Sequence, residues 1–248
     1  MAPQVDGVIR KPEGANVGFL MIHGFGADVD ELASLGIALE KRDIASFAVR
    51  VDGHGTSPED LATKTKQDFY NSVKSGLQLV KTWEMKHIFI AGLSMGGALT
   101  LLLAAREPDI DGIVLFSPAI KFGGMLRLLP LLKRFKKFQH VDLSYIPKMY
   151  DLPRSKYDRD SLEAAHELMK MLSDVRKSLP DITTPALIIQ SGADKTIDPA
   201  SGQYVYDRIA SMNKSLHVIP GAEHVITCHP KRQEAYPFVF EFIESVIS

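Results

Sequence analysis

The sequence predicts an α/β protein in which a mostly parallel sheet carries helices on both faces. Two observations predict it. Six short runs, GFLMIH, SFAVRV, HIFIAGLS, GIVLFSP, ALIIQSG and LHVIPG, are apolar along their length instead of alternating. Segments with helical spacing lie between them. Strands buried on both faces read as continuous apolar runs, and their alternation with helices is the pattern of a parallel sheet.

In chain order, the first strand ends in His23-Gly24-Phe25-Gly26, and the second leads into VDGHGTSPEDL. A helix follows, because Phe69, Val73, Leu77 and Val80 repeat at helical spacing. The third strand passes through a Gly-rich turn straight into ALTLLLAAREP, and GIVLFSP is the fourth. From about residue 120 to residue 181 no strand pattern occurs, only helix-like patches with several prolines. A stretch of roughly sixty residues is too long for a plain loop, so it is expected to form a small helical lid over the C-terminal edge of the sheet. The lid is expected to belong to one domain spanning 1–248. Strands ALIIQSG and LHVIPG follow it. Val239, Phe240, Ile243, Val246 and Ile247 predict a last helix that starts or kinks at Pro237.

Composition narrows the function class. With 248 residues the chain can bury a large core without a disulfide or metal staple. A formal net charge of −1 speaks against a nucleic-acid binder. A single cysteine forms no internal disulfide, and the N-terminus has no apolar signal region, so a cytoplasmic protein is expected. No apolar run reaches the length of a membrane span. Nor is a metal expected, since H-E-x-x-H is absent and the lone cysteine and scattered histidines lack zinc spacing.

Gly92-Leu93-Ser94-Met95-Gly96 matches G-x-S-x-G. At about 7% usage per fixed residue, such a match arises by chance in roughly one chain in twelve of this length, so the motif alone is weak. Its context is specific: an apolar strand before it and a helix directly after, as a nucleophile elbow requires. Glycines flank the serine because a tight strained turn leaves no room for side chains there. The Met95 N–H then lies at a helix N-terminus, where unpaired N–H groups favour an anion. A Gly-rich turn that packs for its own sake or binds phosphate is the plainer alternative, but neither G-x-G-x-x-G nor G-K-[S/T] is present.

An elbow serine predicts a second oxyanion donor after the first strand, for which the Phe25 N–H is the candidate. It also predicts an acid and a histidine, in that order, after late strands. Asp194 follows ALIIQSG and His224 follows the strand in SLHVIPG. Asp198 is a rival acid whose plainer role is to cap the helix that follows it. His23 is expected to shape the oxyanion loop, and His54 to be a turn element.

Together HGFGA, VDGHGTSPEDL, AGLSMGGALTL, SGADKTIDP and GAEHVIT resemble the α/β-hydrolase superfamily, in particular small bacterial carboxylesterases and monoacylglycerol lipases. The resemblance implies a sheet of about eight strands and cofactor-free hydrolysis of a small-molecule carboxylic ester. It implies Ser94 as nucleophile, His224 as base, Asp194 as its orienting acid, and Phe25 and Met95 as oxyanion donors. Thioesterases, acyl amidases, peptidases and slow-turnover binding proteins share this arrangement and remain alternatives. Serine at position 94 disfavours the carboxylate-nucleophile branches. Short-to-medium acyl esters, monoacylglycerols included, are the expected substrates. In MLRLLPLLKRFKKF, Leu126, Leu128 and Leu129 are candidates to line an acyl groove, with the basic residues left in water. Packing on the sheet edge and contact with a membrane surface or an anionic partner are the competing roles. The sequence leaves the oligomeric state open.

GAEHVITCHPKR crowds His224, Cys228 and His229 together. Only His224 stands where the base is needed; His229 reads as a surface or capping residue and Cys228 as buried packing. Assays on both histidine variants check this: His224→Ala is expected to be nearly inactive and His229→Ala to retain activity.

Overall fold

The computed structural model describes residues 5–121 and 135–248. Among these residues nine strands run in chain order: β1 (Gly7–Arg10), β2 (Val17–Ile22), β3 (Ala45–Val49), β4 (His87–Leu93), β5 (Gly112–Phe116), β6 (Phe138–His140), β7 (Arg159–Ser161), β8 (Ala186–Ser191) and β9 (Lys214–Ile219). Seven of them form the main sheet in the order β1-β3-β2-β4-β5-β8-β9. All its neighbours are parallel except β1, which pairs antiparallel with β3 at one edge. All six runs read from the sequence are strands. The seventh, β1, lacked a signal because it is short and its Val8 and Ile9 are 44% and 53% exposed. The described sheet therefore has seven strands where the resemblance implies about eight.

Alternate residues of each strand face opposite layers. On one face, Leu20, Ile22, Ile90, Ile113, Leu115 and Ile188 pack with helices Lys66–Lys81, Met95–Arg106 and Leu162–Ser178. On the other, Phe19, Met21, Phe89, Val114, Phe116 and Ile189 meet helices Ala33–Glu40 and Arg232–Ile247. Each fully buried aliphatic or phenyl side chain contributes about 1.5–3 kcal/mol. The Lys66–Lys81 helix begins with a capping box between Thr65 and Asp68, which satisfies otherwise orphaned N–H groups. Pro237 lies inside the last helix, which starts at Arg232, so the expected start at the proline is corrected. Tyr236, buried on the cluster beside Ala235 and Val239, is what carries the helix through it.

The 135–181 stretch is not helical throughout. β6 and β7 pair as a small antiparallel ribbon, with Phe138 opposite Ser161 and Gln139 opposite Asp160. Three residues per strand are too few to show a period in sequence. Helix Leu162–Ser178 then starts at once, with the Ser161 side chain accepting from the Ala164 N–H. Leu126, Leu128 and Leu129 lie outside the described residues. Among those described, no helix is long and apolar enough to cross a membrane.

From β2 the chain goes to β3 on one side and returns to β4 on the other. That reversal opens a crevice at the carboxyl ends of β2 and β4, the usual ligand position in an open α/β sheet. Helix Met95–Arg106 meets these strands backbone to backbone. A Cβ on Gly92 would lie 2.2 Å from the Gly96 carbonyl oxygen, and one on Gly96 would lie 2.0 Å from that of Ile22. Neither backbone can give way as a flexible side chain would. Gly96→Ala is therefore expected to destabilise by at least about 1–3 kcal/mol, the usual range for overpacking, measured by urea unfolding. Unchanged stability would show that the helix can withdraw from β2.

Candidate active site

Ser94 closes β4 and begins helix Met95–Arg106 with φ 57° and ψ −114°, a conformation costly for a residue with a Cβ. Three backbone hydrogen bonds hold it there. Its N–H donates to Phe116 O at 2.9 Å, and its carbonyl accepts from Ala119 N at 3.0 Å and Ala98 N at 3.2 Å. The sharp turn lifts the side chain away from both strand and helix into a cavity of about 300 Å³.

His224 lines the same cavity from the loop after β9. Its Nδ1 lies 2.6 Å from Oδ2 of Asp194, in the loop after β8. The other carboxylate oxygen accepts from Thr196 N at 2.9 Å and Ile197 N at 3.1 Å. Burial alone would raise the Asp194 pKa, but the bond from His224 and these two N–H donors outweigh it and hold the carboxyl below its ordinary value. An ionised Asp194 accepts only, so Nδ1 of His224 donates the proton in their shared bond, and the tautomer this selects has its lone pair at Nε2. Among the described residues, no hydrogen bond joins Ser94 Oγ to His224. Such bonds are often long before substrate binds.

The backbone N–H groups of Phe25 and Met95 have no hydrogen-bond partner among the described residues. His23 shapes the first of them. Its Nε2 accepts from Val51 N at 3.1 Å, so the ring proton sits on Nδ1 and is donated to Gly24 O at 2.8 Å. A trans peptide points its N–H opposite to its carbonyl, so holding Gly24 O turns the Phe25 N–H the other way. His54 is a buried turn element, with Nδ1 3.1 Å from Val51 O and its ring edge-on to His23, Phe25 and Phe69.

The remaining candidates take plainer places. Asp198 is not the expected helix cap: the N-cap of helix Ser201–Tyr206 is Ala200, without a side-chain bond, and Asp198 accepts from Ala200 N at 2.9 Å, turning the chain ahead of it. His229 accepts from Lys231 N at 3.2 Å just before the last helix. Cys228 is buried, and burial pushes its thiol up to about 12, which leaves little thiolate. Glu31, Gln139, Arg154, Lys156 and Asp160 also line the cavity and were not anticipated. In sequence they look like ordinary solvated polar residues, since nothing local marks a contact such as that of Arg154 with Glu31, more than a hundred positions away.

Burial lowers the pKa of both His23 and His54 from 6.5. The unfolded chain therefore takes up protons near pH 6.5 that the native state refuses until lower pH. The stabilisation is full above that value and is lost as pH falls towards the native-state pKa values. The thermal midpoint is expected to drop as pH is lowered from 6.5; a level midpoint would show that the two rings can charge in place.

The Hydrolase_4 family, described as serine aminopeptidase S33, matches residues 15–231. A carboxylesterase of Bacillus subtilis is 26% identical over 241 residues, covering 94% of this chain and 95% of its own. A thermostable monoacylglycerol lipase from a Bacillus species is 30% identical over 218 residues, covering 87% and 85%. A solved structure described under LipS and LipT, two metagenome-derived lipolytic enzymes, superposes with a TM-score of 0.88 at 25% identity over 98% of both chains. The strained serine, the buried His224–Asp194 pair and these matches lead to one conclusion: the chain belongs to the Hydrolase_4 family of α/β-hydrolases and is a serine hydrolase of the carboxylic-ester type.

Proposed function

We propose that the protein hydrolyses carboxylic esters through an acyl-enzyme on Ser94, with His224 as base and Asp194 as its orienting acid. The observation that carries this is the 2.6 Å bond between His224 and a buried, ionised Asp194, at a cavity shared with a serine in a strained turn. Ser94 Oγ attacks the ester carbonyl while His224 Nε2 takes its proton. Asp194 keeps the ring in the tautomer that frees Nε2 and stabilises the imidazolium. The N–H groups of Phe25 and Met95 receive the developing oxyanion, an interaction worth about 3–4 kcal/mol per donor where one has been removed. His224 then protonates the leaving alcohol, and water releases the acyl group by the same steps reversed. No cofactor takes part in these steps.

Short-to-medium acyl esters, monoacylglycerols included, are the proposed substrates. The cavity's size and its Leu93, Ala119, Leu162, Leu168, Met169 and Val225 walls suit an acyl chain of that length. The curated relatives named as carboxylesterase and monoacylglycerol lipase favour the same class. An aminopeptidase reading, suggested by the family's description, needs an uncompensated carboxylate for the substrate ammonium. Glu31 and Asp160, the acidic residues among the described residues of the wall, are paired with Arg154 and Lys156. We also propose that the 120–181 segment acts as a lid within one domain, and that the protein works in the cytoplasm on small-molecule esters.

A p-nitrophenyl ester series with a Ser94→Ala blank tests the reading. The wild type is expected to favour short-to-medium chains, and the variant's kcat to fall by at least roughly 10⁴-fold. Substantial hydrolysis by Ser94→Ala would remove the proposed nucleophile, and negligible rates across the series would remove the substrate class.

A further inference from the structure

Four consecutive residues, 154–157, each bond to the loop that carries the Phe25 N–H. Arg154 Nη2 lies 2.6 Å from Glu31 Oε1, with the two side chains 6% and 1% exposed. The other Glu31 oxygen accepts from Gly24 N at 3.0 Å. Ser155 donates from both its N–H and its hydroxyl to Asp30 Oδ2, each at 2.7 Å. Lys156 bridges backbone to backbone with Ala27, and its ammonium donates to Phe25 O at 3.1 Å and to Asp160 Oδ1 at 2.7 Å. Tyr157 N donates to Gly26 O at 2.9 Å, while its hydroxyl donates to Gly53 O at 2.9 Å.

The bonds bracket one peptide. The Phe25 N–H belongs to the Gly24–Phe25 unit. The unit before it is held through Gly24 N–H by the Glu31–Arg154 pair. The unit after it is held through Phe25 O by Lys156, and the next through Gly26 O by Tyr157. With both neighbouring planes pinned, the torsions on either side of the Phe25 N–H have little freedom. Gly26, at φ +66°, belongs to the same fit: a Cβ there would come within 2.8 Å of Lys156 Nζ.

We propose that residues 154–157 form a strap that positions the Phe25 N–H for the oxyanion, with Lys156 as its main positioning residue. The inference rests on the reading of Phe25 as an oxyanion donor. A donor acts only within about 2.7–3.1 Å of the place where negative charge develops, and a misplacement of about 1 Å can cost roughly a hundredfold in rate. An inserted segment that holds the donor therefore enters the rate of the chemical step, beyond covering the cavity.

The test compares Lys156→Met, Lys156→Arg and the control Arg159→Gln. Arg159 ties the same segment to Glu59 at 2.8 Å, away from the oxyanion loop. Each variant is measured for kcat, KM, thermal midpoint and affinity for a trifluoromethyl ketone, whose serine adduct places an oxyanion at the donors. Lys156→Met is expected to lower kcat by about tenfold to a hundredfold, with KM near that of the wild type. Its ketone affinity falls in proportion. Lys156→Arg restores most of both, and Arg159→Gln leaves both unchanged. Wild-type kcat and ketone affinity in Lys156→Met would overturn the proposal, as would equal losses in Arg159→Gln, which would mean that the segment only anchors itself. Should Lys156→Met fail to fold, Asp160→Asn loosens the same ammonium at a position 30% exposed, and its kcat and ketone affinity are read in the same way. Activity retained in Ser94→Ala breaks the underlying catalytic reading. Loss in Ser94→Ala with no effect at Lys156 breaks the strap alone.

Discussion

The site depends on one backbone contact, that of Gly96 against the end of β2. Gly96 is two residues past Ser94, and Ile22 is three residues before Phe25. A Cβ at Gly96 would fall 2.0 Å from Ile22 O and 2.8 Å from His23 O. The two elements therefore approach as closely as backbones can, and that approach sets how far the Met95 N–H lies from the Phe25 N–H. The strained serine is a consequence of the same packing. A helix pressed onto β2 and β4 leaves only a sharp turn between strand and helix, and the bonds from Ser94 to Phe116, Ala98 and Ala119 hold that turn against its cost.

Around this contact the cavity's charges are balanced in pairs. Glu31 with Arg154 joins the loop around Phe25 to the 154–160 stretch, and Lys156, paired with Asp160 inside that stretch, reaches the same loop by donating to Phe25 O. A buried ion pair carries a desolvation cost that its attraction does little more than offset, so net stability is a poor reason for the Glu31–Arg154 pair. Geometry is a better one, because Glu31 also takes the Gly24 N–H and so sets the loop that Phe25 belongs to. The histidine–carboxylate pair follows the same logic. Asp194 stays charged in a buried place because all its bonds favour the anion, and that charge decides which nitrogen of His224 is free.

The candidate site was legible because its parts sit at strand ends. Ser94, Asp194 and His224 each follow an apolar run that is unmistakable in sequence, and a parallel sheet brings the carboxyl ends of its strands to one edge. Elements with little local pattern were harder to read. β1 is an exposed edge, β6 and β7 have three residues each, and Pro237 obscured a helix that begins five residues before it.

By itself the sequence determined the layer order, the elbow and the loops that bear Phe25, Asp194 and His224, because apolar period and glycine placement are local properties. Only the tertiary structure decided how His23 turns the Phe25 N–H outward and that Arg154 to Tyr157 clasp the loop that bears it. Those choices rest on hydrogen bonds between residues distant in sequence, such as Lys156 to Phe25. A lysine on a short irregular stretch looks the same in sequence whether its ammonium meets water or a buried carbonyl.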